Sequence, residues 1–216
     1  MDDSLRRQAR AARAEITSGA LCGAALRALL QSIPFLDRDA WVDELLGMAP
    51  PPSDALDLPR GAVPYLPCGV DEILAMVQDV PVQPDDELVD LGSGLGRVAV
   101  LAHLLSGART RGIEIQAPLV DRARATCADL ALAPAAVSFV HGDAAEAELD
   151  GSIFFLYAPF GGATLARVIR HLQGVAQRRP IVVAAVGLEL HDAPWLTARR
   201  TSSVALTLYE SRPLRR

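Results

Sequence analysis

The sequence has 216 residues, half of them apolar and 22% charged, which excludes a disordered chain and suits one globular domain with a small appendage. The net charge is -5, and the densest basic stretches, Arg6 to Arg13 and Arg212 to Arg216, lie at the two ends, which disfavours nucleic acid as a partner. The three cysteines, Cys22, Cys68 and Cys127, form no Cys/His cluster, so no metal site is expected.

No apolar run approaches the roughly 18 residues that span a bilayer, and no secretory signal follows the first residues. We therefore expect no membrane partner and a cytoplasmic location, with the cysteines as buried thiols in a reducing compartment.

The first 48 residues are predicted to be helical because their apolar residues recur at helical spacing. Asp37 is predicted to cap a helix that ends at Leu46 and buries Trp41 and Leu45 with it. Segment 49–67 contains six prolines and is predicted to be a linker. The helical extension 1–48 is expected to serve as a lid over a substrate or as the contact of a homodimer.

From residue 68 to residue 216, strands and helices alternate. The predicted strands are 87–91, 109–115, 137–141, 153–157, 180–187, 197–201 and 204–209. The predicted helices are 69–80, 95–105, 118–130 and 164–177. This alternation predicts an α/β domain, with a doubly wound, mostly parallel seven-strand sheet and an antiparallel terminal strand.

A glycine-rich segment, Asp90 to Gly96, lies between the first predicted strand and its helix. The glycines allow a tight turn and close approach of a ligand to the backbone and the helix N-terminus. Their spacing is GxGxG, whereas dinucleotide-binding loops have GxGxxG. Asp90, directly before the turn, is unfavourable for a pyrophosphate but suits an ammonium group.

Two further acids follow the next two strands. Glu114 can accept hydrogen bonds from both hydroxyls of a ribose, and Asp143 can accept one from an adenine amino group. Because parallel strands end at the same edge of a sheet, the three acids are expected to line one crevice.

As a set, DLGSGLGR (90–97), GIEI (112–115) and HGDA (141–144) resemble the class I, Rossmann-like S-adenosylmethionine-dependent methyltransferases. The resemblance implies that Asp90, Gly92 and Gly94 hold the methionine part of S-adenosylmethionine, Glu114 the ribose, and Asp143 with Ala144 the adenine. The predicted cofactor-binding residues are Tyr65, Asp90, Gly92, Ser93, Gly94, Gly96, Glu114, Ile115, Gly142, Asp143, Ala144 and Tyr157.

The methyl acceptor is expected beside the segment that follows the fourth strand, where Tyr157 and Phe160 are predicted to position it. DNA and glutamine N-methyltransferases of this superfamily carry Asn/Asp-Pro-Pro-Tyr/Phe there. This chain has Ala158-Pro159-Phe160, which disfavours a nucleobase or an amide as the acceptor.

A second resemblance concerns Val63-Pro64-Tyr65-Leu66-Pro67, which is similar to the lead-in of Dot1-like, lysine-directed seven-strand methyltransferases. It implies that Tyr65 covers the cofactor and that aromatic walls shape a lysine channel, as cation–π contact favours. This chain departs from that family at Cys68, where threonine is usual. The acceptor is therefore predicted to be a small molecule or a protein lysine amine.

Two other functions remain open for this sequence. A non-catalytic module that binds S-adenosylmethionine is compatible with the same three acids. A nicotinamide-dependent oxidoreductase is disfavoured by the GxGxG spacing and by Asp90.

Overall fold

The computed structural model describes residues 1–48, 50–54, 58 and 61–211. The predicted linker lies partly, and the basic tail 212–216 wholly, outside the described residues. The helices are α1 (Asp3–Thr17), α2 (Gly23–Ser32), α3 (Phe35–Leu46), α4 (Val70–Asp79), α5 (Arg97–Ser106), α6 (Ala117–Asp129) and α7 (Gly162–Ala176). The strands are β1 (Glu87–Leu91), β2 (Arg109–Glu114), β3 (Val137–His141), β4 (Ile153–Tyr157), β5 (Val182–Val186), β6 (Leu196–Arg200) and β7 (Leu206–Ser211).

The strands form one sheet in the order β3-β2-β1-β4-β5-β7-β6. Strands β1 to β5 pair in parallel, whereas β7 is antiparallel to both β5 and β6. The strand order reverses between β1 and β4, and open α/β sheets bind ligands at such a switch point. The predicted fold class, including the antiparallel terminal strand, is confirmed.

Side chains of the central strands alternate between the two faces of the sheet. Leu88 and Phe155 belong to the core under α1 to α6, whereas Val89 and Phe154 belong to the core under α7. This is the two-residue period of a strand buried on both faces. It places Asp90, two residues after Leu88, on the face that carries α5.

The three N-terminal helices share one continuous hydrophobic core with α4 and α5. Leu30, Trp41 and Leu45 are fully buried in it, as predicted for the last two. An ion pair between Arg38 and Asp71 joins the start of α3 to the start of α4. A role for these helices as a lid or a dimer contact stays a prediction.

Most predicted helix and strand boundaries shift by one or two residues in the structure, and α3, α5 and β7 are examples. Helix α3 begins two residues before Asp37, which lies in its first turn and pairs with the Met1 amino group at 2.9 Å instead of capping the helix. Helix α5 begins at Arg97 rather than at residue 95, because Gly96 adopts the left-handed conformation. Strand β7 begins at Leu206 rather than at Val204, which is fully exposed in the turn before it.

The prediction of three buried thiols is wrong for one cysteine. Cys68 and Cys127 are buried, but Cys22 is exposed beside the start of α2. Within the described ranges, no group of three or more His, Cys, Asp or Glu side chains is arranged to hold a metal ion. No helix in this part of the chain is both long and apolar enough to cross a bilayer.

Candidate active site

A cleft with a cavity of about 240 Å³ opens at the carboxyl ends of β1, β2, β3 and β4. It brings together nine residues that the sequence singled out. These are Tyr65, Gly92, Glu114, Ile115, Gly142, Asp143, Ala144, Tyr157 and Phe160.

A second, much smaller cavity of about 20 Å³ lies beside this cleft. The predicted site residues that line it are Tyr65, Asp90, Gly92, Ser93 and Tyr157. Tyr65, Gly92 and Tyr157 line both cavities, so these residues lie between them.

The glycine loop is fixed to the neighbouring strand. The backbone N–H groups of Gly92 and Ser93 both donate to the Ile113 carbonyl, at 2.9 and 3.1 Å. Gly94 and Gly96 line neither cavity. A Cβ atom at Gly94 would overlap the ring of Tyr65, and one at Gly96 would overlap that of Phe139. The chain's own packing therefore requires these two glycines, and their contact with a cofactor stays a prediction.

Gly94→Ala is expected to lower the free energy of unfolding by about 1–3 kcal/mol, because Gly94 has φ +52° and a methyl group would displace Tyr65. Chemical denaturation measures this change. The matched control is Gly174→Ala inside α7, where open space and ordinary helical backbone predict no loss. Equal midpoints for Gly94→Ala and the wild type would contradict the packing of Tyr65 on the loop.

Glu114 ties the glycine loop to the turn after β2. It is 6% exposed, and its Oε2 atom accepts the Gly94 N–H at 2.9 Å while Oε1 accepts the Gln116 N–H at 2.8 Å. Each carboxylate oxygen has a second lone pair, so the side chain can still accept hydrogen bonds from a ligand in the cleft.

Asp90 is 3% exposed, and its Oδ2 atom has no hydrogen-bond partner among the described residues. Burial, with a smaller contribution from the nearby Glu114 carboxylate, raises the pKa of Asp90 to about 8. A buried carboxyl group without a partner is costly. It therefore favours a ligand that brings a positive charge into the small cavity.

Sequence reasoning missed Arg97, which also lines the small cavity. Its side chain is 6% exposed. Nη1 donates to the Cys68 carbonyl at 2.9 Å and to Asp39 at 3.3 Å, and Nη2 donates to Asp43. The available signal was an arginine at the start of the otherwise apolar helix α5, where a buried charge needs partners.

Asp54 was also missed, and it fixes the segment that covers the cleft. Its Oδ1 atom accepts the Tyr65 N–H and the Gln116 side-chain amide, both at 2.9 Å. These hydrogen bonds, the one from Gln116 first, lower the pKa of Asp54. The carboxylate therefore connects Tyr65 to the turn after β2.

Asp143 lines the cleft together with its neighbours Gly142 and Ala144. Its Oδ1 atom accepts the Ala145 N–H at 2.8 Å, so one carboxylate oxygen closes the local turn.

The segment after β4 pairs with residues 61–63 across the cleft. The Val63 N–H donates to the Pro159 carbonyl at 3.1 Å, and the Gly161 N–H donates to the Gly61 carbonyl at 3.0 Å. Ala158 has φ 38°, an uncommon conformation for a residue with a side chain that often marks functional loops. Phe160 is 9% exposed and packs in the core under α7, so Tyr157 is the more accessible of the two predicted acceptor residues.

No protein-family model matches the sequence, and no curated protein is significantly similar to it. Solved structures are similar in fold. An RNA methyltransferase from Salinibacter ruber, in complex with S-adenosyl-L-homocysteine, is 27% identical over 68% of this chain and 92% of its own, with a TM-score of 0.52. A putative methyltransferase, yhhF, from Escherichia coli is 20% identical over 72% of this chain and 91% of its own, with a TM-score of 0.55.

A third structure is a mutant of MtNAS in complex with S-adenosylmethionine. It is 15% identical over 66% of this chain, with a TM-score of 0.53, and the match spans 63% of the MtNAS chain. The strand order, the switch point and these likenesses together define the class: the chain has the fold of the class I S-adenosylmethionine-dependent methyltransferases.

Proposed function

We propose that the chain is an S-adenosylmethionine-dependent methyltransferase that binds its cofactor across the two cavities. The observation that carries the proposal is the buried carboxyl group of Asp90 in one cavity, whose Oδ2 atom has no hydrogen-bond partner in the described part of the chain, with Glu114 and Asp143 in the adjoining cleft. The two structures solved with S-adenosyl-L-homocysteine or S-adenosylmethionine support the same ligand.

Each part of the cofactor has a fitting group in this chain. Asp90 accepts from the ammonium of the methionine part, whose charge offsets the cost of burying the carboxylate. Glu114 accepts from the ribose hydroxyls with its remaining lone pairs. Asp143 accepts from the adenine amino group, and Ile115 and Ala144 supply apolar contact to the ring. The sulfonium supplies an activated methyl group.

A nicotinamide dinucleotide fits this crevice poorly. Its pyrophosphate would approach the glycine loop, where Asp90 and Glu114 are both buried and acidic. An ionised carboxylate beside the pyrophosphate would repel it strongly in this poorly solvated site, and a pyrophosphate brings no positive charge to offset the burial of the Asp90 carboxyl group.

The acceptor is proposed to be a protein lysine amine or a small molecule that reaches the methyl group past Tyr157. Tyr65 and Tyr157 offer aromatic walls, which suit an amine on an aliphatic stem. Burial first, and then the neighbouring Cys68, Glu72 and Asp39, raise the pKa of Tyr157, so its hydroxyl stays protonated. Tyr157 therefore positions the acceptor as a donor or a wall, and an amine that arrives neutral needs no general base.

Calorimetry with S-adenosyl-L-homocysteine and with NAD tests the cofactor. Tight binding of NAD without binding of S-adenosyl-L-homocysteine would contradict the proposed cofactor. Release of S-adenosyl-L-homocysteine is then measured over a panel of small amines and protein extracts. Bound cofactor with no product from any acceptor would favour a non-catalytic binding module instead.

Tyr157→Ala is expected to reduce turnover about tenfold or more while changing the dissociation constant of S-adenosyl-L-homocysteine much less, because misplacing the acceptor affects only the methyl transfer. Tyr157→Phe keeps the aromatic ring and removes the hydroxyl group, so its turnover shows which of the two the methyl transfer depends on. A variant that loses cofactor affinity and keeps its turnover would remove Tyr157 from the acceptor site.

A further inference from the structure

A short cover segment, residues 62–65, lines the cleft and is bonded to its wall at both ends. At one end, Ala62 pairs with Phe160 in an isolated antiparallel bridge. The Val63 N–H donates to the Pro159 carbonyl beside this bridge, at 3.1 Å. These contacts tie the start of the cover segment to the segment after β4.

Asp54 holds the other end of the cover segment. Its Oδ1 atom accepts the Tyr65 backbone N–H and the Gln116 side-chain amide, both at 2.9 Å. Gln116 lies in the turn after β2, is 7% exposed and lines the cleft, whereas Asp54 lines neither cavity. One carboxylate oxygen outside the cleft therefore joins the cover segment to the wall beside the proposed ribose and adenine positions.

The closed cleft is too small for the proposed cofactor. Its cavity of about 240 Å³ and the adjoining one of about 20 Å³ are together below the roughly 300–1,000 Å³ of pockets that enclose drug-sized ligands. Part of the wall therefore has to move before S-adenosylmethionine enters.

The cover segment is suited to this movement. None of its residues belongs to either hydrophobic core of the described chain, and Val63 is 48% exposed. Segments with few buried apolar contacts open most easily. Opening still breaks the hydrogen bonds to Asp54, so this carboxylate opposes it.

We infer that Asp54 is a positioning residue that keeps the cover segment closed and thereby sets the rate at which the cofactor enters and leaves. Asp54 acts through Tyr65 and Gln116 and does not touch the ligand. Weakening the closed state increases the open fraction of the ligand-free protein and lets bound ligand escape more often, so both rates rise together. The inference rests on the proposed function and adds a residue that controls exchange of the cofactor.

The test measures association and dissociation of S-adenosyl-L-homocysteine by surface plasmon resonance on the immobilised full chain. Asp54→Ala should raise both rate constants about tenfold or more, the factor for losing a hydrogen bond to a charged group, while the dissociation constant changes much less. Asp54→Asn keeps an acceptor oxygen without the charge and should give intermediate rates. Asp86→Ala is the matched control and should leave both rates unchanged. Asp86 is also a half-buried carboxylate that accepts two hydrogen bonds, from the Gln83 N–H and the Ser152 hydroxyl, but it lies outside the cleft.

Thermal unfolding establishes that each variant is folded. Wild-type rates in folded Asp54→Ala would overturn the inference. A faster dissociation with an unchanged association rate would also overturn it, because that pattern indicates a group that stabilises only the bound ligand. If Asp54→Ala does not fold, wild-type rates in Asp54→Asn have the same meaning. Failure of the wild type to bind S-adenosyl-L-homocysteine would instead overturn the proposed function.

Discussion

Glu114→Ala is expected to lower the affinity for S-adenosyl-L-homocysteine by about a hundredfold or more and to destabilise the fold by about 2–4 kcal/mol. The reason is that one carboxylate accepts two backbone N–H groups, those of Gly94 and Gln116, in a buried position. Removing it leaves both donors unpaired and also removes the acceptor for the ribose. Calorimetry and chemical denaturation measure the two effects.

Glu114→Gln keeps one acceptor oxygen and should lie between the wild type and Glu114→Ala in both measurements. Glu146→Ala, which removes an exposed carboxylate paired with Arg167, serves as the surface control. Wild-type affinity in Glu114→Ala would show that the ligand does not occupy this cleft.

Asp90→Asn is expected to stabilise the ligand-free protein increasingly as the pH rises from about 4 to about 8. The pKa of Asp90 is raised from its ordinary 3.8 to about 8 in the folded state. Between these values the unfolded chain has lost the proton that the folded chain still holds, so the wild type loses stability as the pH rises. Asparagine does not ionise and removes this loss. Thermal unfolding of both proteins at pH 5 to pH 8 measures the difference, and a constant difference would contradict it.

The same raised pKa predicts a proton release on binding. An ammonium beside Asp90 favours its ionised form, so at pH 7 the side chain should give up most of a proton when S-adenosyl-L-homocysteine binds. Titrations in two buffers that differ in ionisation enthalpy report this proton, and Asp90→Asn should not show it. The wild-type affinity should rise with pH up to about pH 8. An affinity that falls over this range would mean that Asp90 faces no cation.

The sheet and the positions of the acids could be predicted because their signals are local. Strand–helix alternation gives the parallel sheet, and an acid at the end of a parallel strand lies at the edge where ligands bind. That reasoning predicted one crevice for the three acids. The structure places Glu114 and Asp143 in one cleft and Asp90 in the small cavity beside it.

The supporting contacts could not be predicted, because they join residues that are far apart in sequence and follow no period. Arg97 meets Asp39 and Asp43 across 58 and 54 positions, and Asp54 meets Gln116 across 62. Nothing in the local sequence around these residues marks them as partners. The packing of α3 beside α5 brings Asp39 and Asp43 to Arg97, and the segment before Tyr65 brings Asp54 to Gln116.

The shared core of the N-terminal helices has a consequence for what counts as the folding unit. The similar structures match about two thirds of this chain. A shortened chain without α1 to α3 would expose the apolar faces of α4 and α5 that Leu30 and Trp41 cover. It would also leave the Arg97 guanidinium without its two carboxylates. We therefore expect the smallest independently folding piece of this protein to include α1 to α3.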